Sequence, residues 1–172
     1  MIMRPGQALL LPANPLFIAL TLVLALATNL LPLGRHPGWP DLLALVLVFW
    51  NVHQPRRVGV TLAFVFGLVM DVHQGAVLGQ HALAYTLLSF GAVTIHRRVL
   101  WFGALSQALH VLPLFLLAQC VTVLVRMAIG GMYPGVSIWL APVAQAALWP
   151  VASVLLLAPQ RRPPDPDQNR PL

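Results

Sequence analysis

The sequence predicts an all-α membrane protein, a polytopic bundle of about six transmembrane helices. Three observations predict it. The chain is 59% hydrophobic and 8% charged, whereas a soluble domain carries about 25% charged residues. Its mean hydropathy is +0.82, so polar groups are too few to cover a globule. Short turns of Gly, Pro and Arg cut the apolar runs. The 172 residues leave room for about six spans of about 20 residues, and for no soluble domain of ordinary size.

In chain order, residues 1–14 form a short N-terminal segment with Arg4, Pro5 and Pro12. The first apolar run extends from Pro15 to about Leu33. Its Ala25-Leu26-Ala27 resembles a signal-peptidase site, but the apolar stretch continues to Leu31, which favours a retained first helix. Gly34-Arg35-His36-Pro37-Gly38 reads as a turn. The second segment, Trp39 to His53, has Asp41 placed to cap its start. Gln54-Pro55-Arg56-Arg57 is the next turn, and Val58 to Met70 the third segment. The fourth runs from Gly75 or Ala76 to Ile95, ahead of Arg97-Arg98. The fifth is Val99 to Val125; a Gly-rich loop, Arg126 to Pro134, separates it from the sixth, Ser137 to Leu157. The expected division is therefore a cytoplasmic segment 1–14, a transmembrane domain 15–157 and a disordered cytoplasmic tail 158–172. Fusing segments two and three into one kinked helix would bury Arg56 and Arg57 in the bilayer, at about 2.5–3.5 kcal/mol each. A hairpin is cheaper. Thirteen residues rise only about 20 Å, so the helices should extend into their flanks, which brings Asp71 into the membrane or to its mouth.

The net charge is +6, and Arg is the sole Lys/Arg-type cation; Lys and Glu are absent. In a soluble protein that balance would point to nucleic acid. Here it orients helices, and no nucleic-acid partner is expected. With six spans and the N-terminus inside, Arg4, Arg56, Arg57, Arg97, Arg98, Arg161, Arg162 and Arg170 face the cytoplasm, against Arg35 and Arg126 outside. Both termini are then cytoplasmic and Asp71 lies toward the outer face. Trp39 and Trp139 fall at the outer interface, Trp50 and Trp101 at the inner one. Anionic-lipid contact or docking to a cytoplasmic partner is the alternative role for the Arg doublets.

Only four acids exist, and two of them, Asp165 and Asp167, lie in the tail. Asp71 therefore needs a reason. Counting in fours gives Gly59, Ala63, Gly67, Asp71, Gly75 and Gly79, a stripe of small residues on one helix face that admits another helix closely. Asp71 should point into the bundle or at a partner. It could cap the fourth helix near Gly75, or hydrogen-bond another helix or a partner; transport or catalysis is the weaker reading. Asp71 and His73 diverge on a helix, and only His81 is a nearby third ligand, so a metal site is poorly supported. In segment five, Gln107 and His110 are i, i+3 neighbours ahead of Pro113, which frees the Leu109 carbonyl. With Gln145 of segment six they could line a polar pocket or make plain interhelical hydrogen bonds. Cys120 lies in an apolar run and reads as a packed thiol. No nucleophile elbow, P-loop, zinc-protease motif or carboxylate pair occurs, so no catalytic residue, cofactor or metal is expected.

The stretch Gly67-Leu68-Val69-Met70-Asp71, then Gly75, Leu78-Gly79, Ala82-Leu83 and Tyr85, resembles the MreD family of bacterial rod shape-determining membrane proteins. Pro40-Asp41-Leu42-Leu43 resembles it more weakly. The specific match covers some twenty residues; the rest is architecture. The resemblance implies a non-catalytic scaffold of the wall-elongation machinery in the bacterial inner membrane. It implies work beside MreC, MreB, the glycosyltransferase RodA and a transpeptidase, and a fold like the substrate-binding membrane subunits of energy-coupling-factor transporters. On that resemblance, with the small-residue stripe and Asp71 as the candidate contact, the leading role is binding the MreC transmembrane helix. The runner-up is an uptake subunit holding a small molecule near Asp71, Gln107 and His110.

Overall fold

The computed structural model describes residues 13–31 and 38–160, and all of their regular structure is helical. The residues before 13, most of the first turn, and the residues from 161, with Arg161 and Arg162, lie outside the described residues. Six α-helices follow one another: α1 Pro15–Leu30, α2 Leu42–His53, α3 Val60–Gln74, α4 Gln80–Val99, α5 Ala104–Ala128 and α6 Leu140–Leu157. A 3-10 turn, Val136–Trp139, leads into α6, and another, Ala158–Gln160, continues it. Those last three residues were expected in the tail; instead Gln160 is buried, its Nε2 donating to the Leu156 carbonyl at 3.2 Å.

Local chemistry starts the helices. The Asn14 side chain accepts from Leu16 N at 2.9 Å, with Pro15 at the first helical position, where its missing N–H costs nothing. The Asp41 Oδ1 accepts from Ala44 N at 2.9 Å, the cap expected of it. α1 runs unbroken through Ala25-Leu26-Ala27 and turns Ile18, Leu22 and Ala25 inward.

α2 lies at the centre. Leu43–Leu45 and Leu47–Val52 are all buried, as a helix apolar on every side requires. It packs on α1, α4 and α6; α4 packs in addition on α3 and α5, and α5 on α6. Thus α2, α4, α5 and α6 close into a four-helix set, with α1 against α2 and α3 against α4. Polar pairs tie neighbours together: Trp50 Nε1 donates to Thr21 Oγ1 (2.9 Å, α2 to α1), Asn51 Nδ2 to Ser89 Oγ (3.0 Å, α2 to α4) and Trp149 Nε1 to Gln107 Oε1 (3.0 Å, α6 to α5). Such bonds are common glue between helices in an apolar medium. The buried Asn51 Oδ1 and Thr86 Oγ1 accept or donate no bond among the described residues.

Several sequence expectations are corrected. Trp50 is not an interface anchor; it is fully buried, edge-on to Phe17 and Phe49. Trp101, at 87% exposure, is the tryptophan that stands out from that end. α3 extends into its flank as its length required, past Met70 to Gln74, so Asp71 is helical; α4, however, begins at Gln80 rather than at Gly75 or Ala76. α4 also runs on to Val99, and the apolar stretch from Leu100 to Gly103 hides the turn into α5. Hydropathy cannot mark a turn whose own residues are apolar.

The exterior is apolar. Leu16, Leu20 and Val23 of α1, Phe64 and Val65 of α3, Leu109 and Leu124 of α5, and Val151 and Leu155 of α6 are all exposed. Two stretches, Ala104–Ala128 and Val136–Gln160, are long and apolar enough to cross a membrane; α1, α2 and α3 are shorter apolar helices. The 12 residues of α2 rise about 18 Å against a hydrocarbon core of about 30 Å.

Candidate functional site

Asp71 and Asp41, the two acids among the described residues, stand at the same end of the bundle. The opposite end carries Arg56, Arg57, Arg97 and Arg98. The aspartate end is built around the α3–α4 junction. Asp71 is fully buried in the last turn of α3. Its Oδ2 accepts from Gly79 N (2.8 Å) and Ala82 N (3.3 Å), and its Oδ1 from His81 N (2.7 Å), with His81 Nδ1 at 2.8 Å. Asp71 is therefore the cap of α4, supplied from the preceding helix. Three orphan N–H groups and the positive end of the helix dipole meet one carboxylate. Gly79, at the cap position itself, has no side chain to do this and sits at φ +104°.

The backbone of Asp71 closes the other side of the junction. Its carbonyl accepts from Ala76 N at 3.0 Å while Gly75 N donates to the Val72 carbonyl at 3.3 Å. With Gly75 at φ +60°, this is the Schellman ending that favours glycine. One residue thus terminates α3 through its main chain and starts α4 through its side chain.

Gly67 makes that reach feasible. A Cβ there would lie 2.3 Å from Ala82 Cα and 2.6 Å from Ala82 N, so α3 and α4 touch backbone to backbone one turn before Asp71. Ala63, a further turn back, is fully buried. The rest of the four-residue stripe behaves differently. A Cβ at Gly59, Gly75 or Gly79 would meet nothing within 4 Å. Gly75 and Gly79 serve backbone conformation, and helix contact rests on Ala63 and Gly67.

A second hub adjoins the first. Tyr85, one turn after His81 and edge-on to it at 6.2 Å, donates its hydroxyl to Asp41 Oδ2. Asp41 Oδ1 also accepts from Asn29 Nδ2 at 2.6 Å, and the Asp41 carbonyl from Gln145 Nε2 at 2.9 Å. Asp41 therefore binds α1, α2, α4 and α6 together. Sequence reasoning assigned it only a cap; Asn29, a lone amide closing an apolar run, was the signal for more.

The polar pocket does not assemble. Gln107 is spent on the Phe102 carbonyl (2.9 Å) and Trp149, near the arginine end. Gln145 is at the aspartate end on Asp41, so it is not the counterpart of Gln107. His110 Nδ1 bonds the Ser106 carbonyl on its own helix, and its ring stacks on Phe102 at 4.4 Å. His73 is exposed and, on the helix, diverges from Asp71. Arg57 Nη1 donates to the Ala13 carbonyl at 2.7 Å; Arg56, Arg97 and Arg98 are exposed. Cys120 is a half-buried free thiol.

An apolar exterior around an equally apolar core, with the few buried polar groups tying helix to helix, is what a helical membrane protein presents. Among the described residues, both acids are occupied in fastening helices. The profile of the family described as rod shape-determining protein MreD matches residues 9–158, and the chain belongs to that family. It is 31% identical over 105 residues to the rod shape-determining protein MreD of Haemophilus influenzae, an alignment spanning 59% of this chain and 64% of that protein. No solved structure matches the chain.

Proposed function

We propose that the chain is a non-catalytic scaffold of the rod-shape machinery, crossing the bacterial inner membrane six times with both termini cytoplasmic. In this reading it binds the transmembrane helix of MreC and helps organise the wall synthases, RodA and a transpeptidase, together with MreB. The family match over residues 9–158 carries the reading. The arginine-rich end supports the orientation, through the excess of Arg on cytoplasmic loops. The short α1, α2 and α3 cross as members of the bundle, completed by their flanks. A fold like the energy-coupling-factor binding subunits belongs to the same proposal, as does a transmembrane domain that opens at residue 15 and closes at Gln160.

In this reading MreC docks where residues of the motif are left exposed. Gly67, Asp71, Gly75, Gly79, Ala82 and Tyr85 all act inside the chain. Leu78 and Leu83 match the family pattern yet are 69% and 45% exposed. Their side chains are available to a partner helix beside the junction. The test is co-purification of MreC with the full chain. Leu78→Trp and Leu83→Trp together should remove MreC while leaving the thermal midpoint of the isolated protein unchanged. Full retention of MreC by that variant would reject this face. A stoichiometric small-molecule ligand in gently purified protein, detected by mass spectrometry, would favour an uptake subunit instead.

A further inference from the structure

Because α1 leans on α2 and α3 on α4, an open groove of about 460 Å³ remains between α1 and the start of α3 at the arginine end. Ile18, Ala19 and Leu22 form one wall, and Val58 and Leu62 the other. Arg57 stands at the rim, next to the exposed Arg56. We infer that this groove is a binding site for an anionic glycerophospholipid, with an acyl chain between α1 and α3 and the phosphate on Arg57.

Charge and shape both select that occupant. The Arg57 guanidinium carries five donors, and one of them is held by the Ala13 carbonyl. That bond fixes the side chain at the rim. Among the described residues both acids, Asp41 and Asp71, stand at the far end of the bundle, so no described carboxylate neutralises Arg56 and Arg57. A planar guanidinium is matched to phosphate oxygens, and basic pockets between transmembrane helices on the cytoplasmic side suit acidic headgroups. The walls below Arg57 offer no polar side chain, which suits hydrocarbon. A second copy related by a two-fold axis would bring the same arginines face to face, an arrangement that like-charge repulsion opposes. The inference rests on the arginine end facing the acidic leaflet. It is independent of MreC, so lipid titration and MreC co-purification fail separately.

Native mass spectrometry of the full chain in detergent, titrated with phosphatidylglycerol or with phosphatidylcholine, tests it. The wild type should hold one phosphatidylglycerol in preference to phosphatidylcholine. Arg57→Gln should weaken phosphatidylglycerol about tenfold, the loss of one charge-assisted contact. Ala19→Trp, which fills the groove from an exposed position, should abolish it, and Arg98→Gln should leave it unchanged. Should Arg57→Gln fail to fold, Ala19→Trp still decides. Equal retention of phosphatidylglycerol by Ala19→Trp and wild type overturns the site, as does equal affinity for the two lipids. So does a groove closed by protein: a dimer that Ala19→Trp dissolves, or lipid binding that emerges only after residues 2–12 are deleted.

Discussion

Adding one methyl group at Gly67 should do more damage than its size suggests. The Cβ of Gly67→Ala would lie 2.3 Å from Ala82 Cα. Carbon atoms rest at about 3.5 Å or more, so α3 and α4 must part by about 1.2 Å. The neighbour is backbone, and no rotamer relieves the clash. The same displacement acts on the carboxylate one turn away. Asp71 holds His81 N, Gly79 N and Ala82 N at 2.7, 2.8 and 3.3 Å, and bonds stretched by about an ångström are no longer bonds. Overpacking costs about 1–3 kcal/mol, and losing a helix cap about 0.5–2 kcal/mol. The expected loss is therefore about 2–5 kcal/mol. Equilibrium unfolding of the purified protein in mixed micelles, followed by circular dichroism, measures it. Gly59→Ala is the internal comparison. It belongs to the same four-residue stripe but has nothing within 4 Å, and should cost less than about 1 kcal/mol. If the two variants unfold alike, the backbone contact at Gly67 is not what the stripe is for, and the reasoning is refuted.

Two further outcomes follow from the same geometry. Asp71→Ala leaves three backbone N–H groups and the His81 ring without their acceptor, and should destabilise by about 3–5 kcal/mol; hydrogen exchange should rise first at residues 79–82, and uniform protection there would contradict the cap. Tyr85→Phe removes one donor from Asp41 but leaves Asn29 and Ala44 bound to it, so the loss should be about 1–3 kcal/mol, read as a lowered thermal midpoint with the helical signal intact.

Much of the fold is legible in the order of the residues. Apolar composition demands a membrane protein, and the Gly, Pro and Arg turns divide it into six helices. Asp41 marks the start of α2 from the sequence, because its side chain caps an amide only three residues on, whereas Asp71 caps α4 from eight to eleven residues away. The direction of Asp71 is also legible, since a carboxylate cannot face lipid and its fourfold neighbours are small. Three-dimensional packing decided the remainder. Lipid and protein core are equally apolar, so hydropathy alone could not place α2 at the centre, draw Trp50 inward or separate the lipid face of α5 from its packed face. Nor could it name the partners of the polar groups. Asp71 meets His81 ten residues on, Gln107 meets Trp149 after 42, Tyr85 meets Asp41 after 44 and Gln145 meets Asp41 after 104. In a medium without water, each buried donor takes whichever acceptor the helix packing brings within reach. That choice is made in space, which is why the sequence showed that Asp71 must be satisfied while only the tertiary structure showed that α4 satisfies it.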